Sequence, residues 1–167
     1  LGDASLTNVQ ALALANATRP FFLNMLNCSA GAFDFPCLAE KFLLNPQGGA
    51  IGVIGAAREA YPDNIQLYQE AWFAKVVSEG FTGAAEALHE ARLKLLGQTY
   101  EDGAYRWSNF ITAYLGDPEL SLWVGRPRPV VVAVPAAIPV GTRTLTVAVT
   151  DSSGTPVAGV RVLAWKP

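Results

Sequence analysis

Histidine is nearly missing from this chain of 167 residues: His89 is the only one. A nucleophile that needs an imidazole partner must therefore use His89 or find its base outside these residues. Charge is scarce too, at 16% of residues with a net of −2. No basic stripe is present to follow a phosphate backbone, which excludes nucleic acid as a partner. Long apolar runs are absent as well. The stretch Pro129–Val140 contains Pro129, Pro135 and Pro139 and is too short to cross a bilayer, so no transmembrane segment is expected. No signal peptide opens the chain, and Leu1-Gly2-Asp3 reads as the start of a mature or excised piece. Cysteine is limited to Cys28 and Cys37. Spacing alone does not decide pairing. A bridge between them is compatible with a secreted protein, but the favoured reading leaves both as thiols with different fates.

What is abundant is apolar material: 51% hydrophobic residues and a mean hydropathy of +0.25. That bounds a core-rich soluble chain of one ordinary domain, or one plus a fragment. Apolar spacing predicts a short helix over Thr7–Ala17, broken at Arg19-Pro20, then a strand over Phe21–Asn27 covered on both faces. A helix follows over Pro36–Leu44, stopped by Asn45-Pro46-Gln47-Gly48-Gly49, and a second buried strand over Ala50–Ala57. Ile65–Glu79 has helical spacing with Asp63 or Asn64 as its cap. Thr82 is placed to cap a helix over Gly83–Leu96, with Glu90 and Lys94 as an i,i+4 pair and Gly97 as its stop. Tyr105–Leu115 reads as a third long helix, Gly116-Asp117-Pro118 as a turn, and Glu119–Val124 as a returning strand. Strand and helix alternate, which predicts an α/β fold with a mostly parallel sheet and helices on both faces.

Composition shifts at Gly125-Arg126-Pro127-Arg128-Pro129, which divides the chain into residues 1–125 and 126–167. Beyond that point Leu145, Val147 and Val149 alternate with polar residues, and Val157–Trp165 alternates again after the turn Asp151-Ser152-Ser153-Gly154. This predicts a half-buried antiparallel strand pair, the first strands of an immunoglobulin-like sandwich. About forty residues cannot complete such a domain, which takes ~100.

The candidate chemistry is Cys28. An apolar run, Phe21–Asn27, delivers it, and the small residues Ser29-Ala30-Gly31-Ala32 follow at once. Open α/β sheets put ligands at the carboxyl ends of their strands. A thiol there, with small neighbours, has room for backbone amides and a substrate. The competing reading is a buried strand-end cysteine. Cys37, after Pro36 and before Leu38, Phe42 and Leu43, reads as a small buried hydrophobe.

The string Asn27-Cys28-Ser29-Ala30-Gly31-Ala32-Phe33-Asp34, continued by Pro36-Cys37-Leu38-Ala39-Glu40, resembles the catalytic cysteine segment of gingipain-like cysteine peptidases. Gly48–Ala56 is similar to the next strand of that family, and Leu115–Leu120 to the stretch that closes its catalytic domain. The resemblance covers about residues 1–124 and implies a caspase-like fold, followed by an immunoglobulin-like domain. It implies a bacterial endopeptidase, secreted or at the cell surface, acting on proteins or peptides through a Cys–His dyad. Cys28 maps onto the nucleophile, with its backbone N–H as an oxyanion donor. The histidine would lie in a His-Gly pair upstream of Leu1, so residues 1–167 alone are expected to be inactive. Ser29 and Ala30 would line the substrate site. Tyr61 stands near the family's aromatic lid, with Pro62 where the pattern has a tryptophan. No cofactor is required, and the resemblance admits a structural calcium ion, though no compact acidic loop identifies ligands.

The remaining candidates read as structural. His89 is a surface or packing residue of its helix; Asp34 and Glu40 are a turn cap and a solvated helix charge; Asp117 forms a turn. Trp72, Trp107, Phe110 and Tyr114 read as core at helical spacing. Two alternatives stand beside the peptidase. One is a non-catalytic relative used for surface binding or assembly. The other is one chain of a processed two-chain enzyme, whose partner would be the upstream half of the domain. A second copy pairing through residues 127–167 is a further candidate partner.

Overall fold

A computed structural model describes residues 6–126, 128–141 and 144–164. The chain divides into two units, Leu1–Val124 and Gly125–Pro167.

In the first unit, three strands form one sheet in the order β1 (Phe21–Asn24), β2 (Ala50–Ala56), β3 (Thr112–Gly116). β1 runs parallel to β2, with Leu23 opposite Val53 and Asn24 opposite Ile54. β3 runs antiparallel to β2, with Leu115 opposite Val53 and Thr112 opposite Ala56. The sheet is therefore mixed, with one pairing of each sense. Helices cover both faces. Successive β2 residues point opposite ways: Val53 packs with Ala11 of α1 (Asn8–Leu12) and Ala39 and Phe42 of α2 (Leu38–Leu43). Ile54 packs with Tyr68 and Trp72 of α3 (Pro62–Phe73), and with Ala87, Leu88 and Ala91 of α4 (Ala84–Lys94). Fully burying side chains of this size contributes about 1.5–3 kcal/mol each. Phe22 of β1 stacks on Trp72 at 5.1 Å between ring centroids and lies 6.2 Å from Tyr114 of β3, so one aromatic stack joins both outer strands to α3.

Several elements are shorter or differently capped than their sequence implies. α1 is one turn and a half, held by a reciprocal cap in which Thr7 and Gln10 serve each other's backbone. β1 stops at Asn24 and is half-buried throughout, with Phe21 and Leu23 packed on one face of the sheet and Phe22 on the other. α3 begins at Pro62, whose fixed φ and missing N–H suit the first helical position. Asp63 thus falls inside the first turn rather than capping it, and the last stretch of the expected helix is a π-helical turn, Ala74–Ser78. Gly83, not Thr82, caps α4, and Glu90 faces Lys75 at 3.9 Å rather than Lys94. Gly97 does not end a helix but lies within α5 (Leu96–Glu101).

The largest departure is β3. The expected helix through Leu115 ends as α6 (Gly103–Ile111), and Thr112 begins a strand with no residue between. Trp107, Phe110 and Tyr114 have helical spacing, but β2 offers a free edge that satisfies the backbone of five residues, and that pairing prevails over periodicity. Tyr114 then packs on Phe22, whereas Trp107 and Phe110 are exposed rather than core, Phe110 at 76%. Glu119–Val124 forms no strand. It makes an isolated bridge from Ser121 to Gly83 and hydrogen bonds from Ala84 N–H to Leu120 O and from Leu122 N–H to Thr82 O.

Among the described residues, the second unit holds one antiparallel pair, β4 (Val130–Ala133) with β5 (Ala148–Asp151). β4 lies in the proline-containing apolar stretch, where no strand is expected from the pattern. Beyond β5, Asp151 accepts from Ser153 N–H at 2.8 Å, Ser153 Oγ at 2.6 Å and Thr155 N–H at 3.0 Å, which builds the anticipated turn. Val157 N–H bonds to Val149 O, but residues 157–164 form no regular strand, and Trp165 lies outside the described residues.

Candidate active site

The chain that leaves β1 stays attached to β2 for one more residue, through Met25 N–H to Ile54 O at 2.8 Å. It then turns across the carboxyl end of β2. Cys28 is exposed and its thiol is free. Its Sγ receives the Ala60 N–H at 3.4 Å and lies 3.8 Å from Ala60 O. Among the described residues, the Cys28 N–H takes no part in the bonds that hold the loop. Ser29 has φ of 55°, a left-handed backbone that a residue with a Cβ adopts only at a cost of order 1–3 kcal/mol.

Ala30, Gly31 and Ala32, after Cys28 and Ser29, are buried. Gly31 N–H bonds to Ala56 O at 2.9 Å, and a Cβ at Gly31 would sit 3.2 Å from the carbonyl carbon and oxygen of Gly55. Ala30 is buried and its carbonyl accepts from Ala39 N–H at 2.9 Å. The Ala30 side chain belongs to the core cluster that includes Met25, Ala39 and Val53. Ser29 is exposed, and Tyr61, 54% exposed, caps α3 directly after Ala60. Phe33 and Phe35 are also exposed on the loop that carries Cys28.

The loop over residues 57–61 is held from two sides. From the far side, Ala57 N–H donates to Ile111 O at 2.8 Å and Trp107 Nε1 donates to Glu59 O at 2.7 Å. From the near side, Arg58 O accepts from Ser29 N–H at 3.0 Å. The Arg58 guanidinium donates to both oxygens of Asp34, at 2.9 and 2.8 Å, and to Ala57 O at 2.6 Å. The hydrogen bond from Arg58 holds the Asp34 carboxyl below its ordinary 3.8. Asp34 is therefore an ion-pair partner between loops, more than a turn cap, while Glu40 pairs with the adjacent Lys41 at 3.4 Å. Neither Arg58 nor Ala60 stands out in the sequence. The available signal is a charged residue just past the carboxyl end of a buried strand.

The other candidates lie elsewhere. Cys37 is buried at the head of α2, and no disulfide joins it to Cys28. His89 is an exposed residue of α4, and no hydrogen bond joins it to the loop that carries Cys28. Among the described residues, no three His, Cys, Asp or Glu side chains are grouped to hold a metal ion. A groove of about 740 Å³ follows β1, the end of α3 and residues 120–124, away from Cys28.

A sequence model of peptidase family C25 matches residues 2–123. No curated protein matches by sequence search. Among solved structures, the Arg-specific cysteine proteinase gingipain R aligns with a TM-score of 0.70 at 18% identity, over 85% of this chain and 35% of that one. A structure described only as a protease aligns with a TM-score of 0.68 at 16% identity, over 87% and 37%. The complex of the pro- and mature domains of RgpB from Porphyromonas gingivalis aligns with a TM-score of 0.63 at 18% identity, over 85% and 36%. The chain thus spans about a third of the length of these structures, and the fold is the caspase-like one of the gingipains.

Proposed function

The chain belongs to peptidase family C25, and from that premise we propose that it carries the nucleophile half of a cysteine endopeptidase site. The observation that supports this most is the free, exposed Cys28 at the carboxyl ends of β1 and β2, with the Ala60 N–H directed at its sulfur. Thiolate is the reactive form of cysteine, and an imidazole partner would supply it by taking the thiol proton. The thiolate attacks the scissile carbonyl, and the C–S bond forms as the carbonyl π pair moves to oxygen. The Cys28 N–H is available to hold that oxyanion. Collapse breaks the C–N bond, an imidazolium gives its proton to the leaving amine, and water later releases the acyl group from sulfur.

The imidazole in this scheme is not His89, an exposed residue of α4. We assign it to polypeptide outside these 167 residues, so the chain alone has no peptidase activity. Proteins or peptides are the substrates, with Ser29 and Tyr61 beside the thiol to contact them. By likeness to the gingipains, the whole protein acts outside a bacterial cell. No described helix is long and apolar enough to cross a membrane.

The test is alkylation of Cys28 and Cys37 as a function of pH, read by peptide mass spectrometry on the intact natural polypeptide. Rapid labelling of Cys28 at mildly acidic pH, with Cys37 inert, is the expected result. Slow and equal labelling of both overturns the nucleophile reading in favour of a binding or assembly module.

A further inference from the structure

We propose that Arg58 is a positioning residue for the Cys28 thiol, acting as a two-ended clamp on the turn that follows it. The proposal rests on the reading of Cys28 as nucleophile. The left-handed backbone at Ser29 falls directly after the thiol, and such a conformation persists only where its surroundings over-determine it. Arg58 grips that turn at both ends. Its main-chain carbonyl takes the Ser29 N–H at 3.0 Å, and its guanidinium takes both carboxylate oxygens of Asp34 at 2.9 and 2.8 Å. Its further bond to Ala57 O, at 2.6 Å, fixes the guanidinium to its own loop. Two residues on, the Ala60 N–H meets the sulfur at 3.4 Å. The thiol and the donor that faces it therefore sit on two loops joined by the main-chain bond from Ser29 to Arg58 and, beyond it, by the Arg58–Asp34 side-chain pair.

The ion pair is half in solvent, with side-chain exposures of 47% for Arg58 and 38% for Asp34. Pairs exposed to that degree contribute little to stability. The clamp should consequently show in rate and not in melting temperature. Lysine keeps the charge but cannot make the two parallel bonds of the guanidinium fork.

The test uses Arg58→Lys, Arg58→Ala, Asp34→Asn and the double variant R58A/D34A in the intact natural polypeptide, with Lys41→Ala as a control ion-pair variant and Cys28→Ala as a nucleophile control. The readouts are kcat and KM on a peptide substrate, the rate of iodoacetamide alkylation at Cys28, and Tm. Each clamp variant should lower kcat by about tenfold or more, since sub-ångström misplacement carries costs of that order. KM and Tm should stay near the parent values, and the double variant should be no slower than R58A alone. Alkylation of Cys28 at neutral pH should slow in parallel, which reads the clamp without turnover. Parent-like kcat and alkylation in Arg58→Lys and Asp34→Asn, with Cys28→Ala inactive, overturn the clamp alone. Peptidase activity that survives Cys28→Ala overturns the nucleophile reading; unchanged alkylation then also overturns the clamp.

Discussion

Replacing Gly31 by alanine adds one methyl group at the closest approach between the loop that carries Cys28 and the sheet. That methyl would lie 3.2 Å from both the carbonyl carbon and the oxygen of Gly55, and 3.5 Å from its Cα. All three are backbone atoms of the central strand, so nothing flexible is there to yield. Overpacking of this kind costs about 1–3 kcal/mol. For a unit of this size, 1 kcal/mol shifts Tm by roughly 4 °C, so Gly31→Ala should melt roughly 4–12 °C below the parent. The converse substitution, Gly55→Ala, first meets the Met25 Cε at 3.3 Å, the free end of a flexible side chain, and should cost less. Gly97→Ala supplies the opposite sign. It lies within α5 with nothing within 4 Å of the added Cβ, and glycine is about 0.5–1 kcal/mol worse than alanine in a helix. Thermal unfolding of the three variants by circular dichroism orders them: Gly97→Ala above the parent, then Gly55→Ala, then Gly31→Ala. A Gly31→Ala protein that melts with or above the parent refutes the packing argument, because the loop would then be free to lift from β2.

Trp72 is buried, stacks on Phe22 and donates from Nε1 to Ala84 O at 3.1 Å, so Trp72→Ala should cost about 3–5 kcal/mol in urea unfolding; a loss under 1 kcal/mol counts against the stack as core. The Asp34 carboxyl is held below its ordinary 3.8, first by its hydrogen bond from Arg58. A depressed carboxylate stabilises the fold above the unfolded value and loses that contribution as pH falls through the folded one. Asp34→Asn should therefore flatten the stability profile only in the acid window below about pH 4, and an unchanged slope there would remove the pair from the acid response.

The parts of this fold that are legible in the sequence are those whose signal is local. Val53 and Ile54 sit in a continuous apolar run because both faces of β2 are covered, and the run says so. The apolar spacing from Ile65 onward shows α3, although the helix starts three residues earlier, at Pro62. What escapes is decided by partners far away in the chain. Thr112–Gly116 is a strand because β2 has a free edge, while its own spacing of aromatics fits a helix. The same error puts Trp107 and Phe110 in the core. Arg58 and Asp34 are 24 residues apart and show no pattern until the two loops meet. The burial of Ala30 escapes as well, since a small residue looks the same in sequence whether it is exposed or packed.

The junction between α6 and β3 also bears on how this region can vary in length. Ile111 ends the helix and Thr112 begins the strand, and Ile111 O holds the Ala57 N–H of the loop below the thiol. One inserted residue would turn the helix by about 100° relative to the strand or slip β3 by one position, exchanging every side chain between the faces of the sheet. Either change separates Trp107 from Glu59 or Tyr114 from Phe22. Insertions and deletions among natural variants should therefore be excluded from residues 107–116. Such changes are accommodated best where the chain passes between its two units, around residue 125.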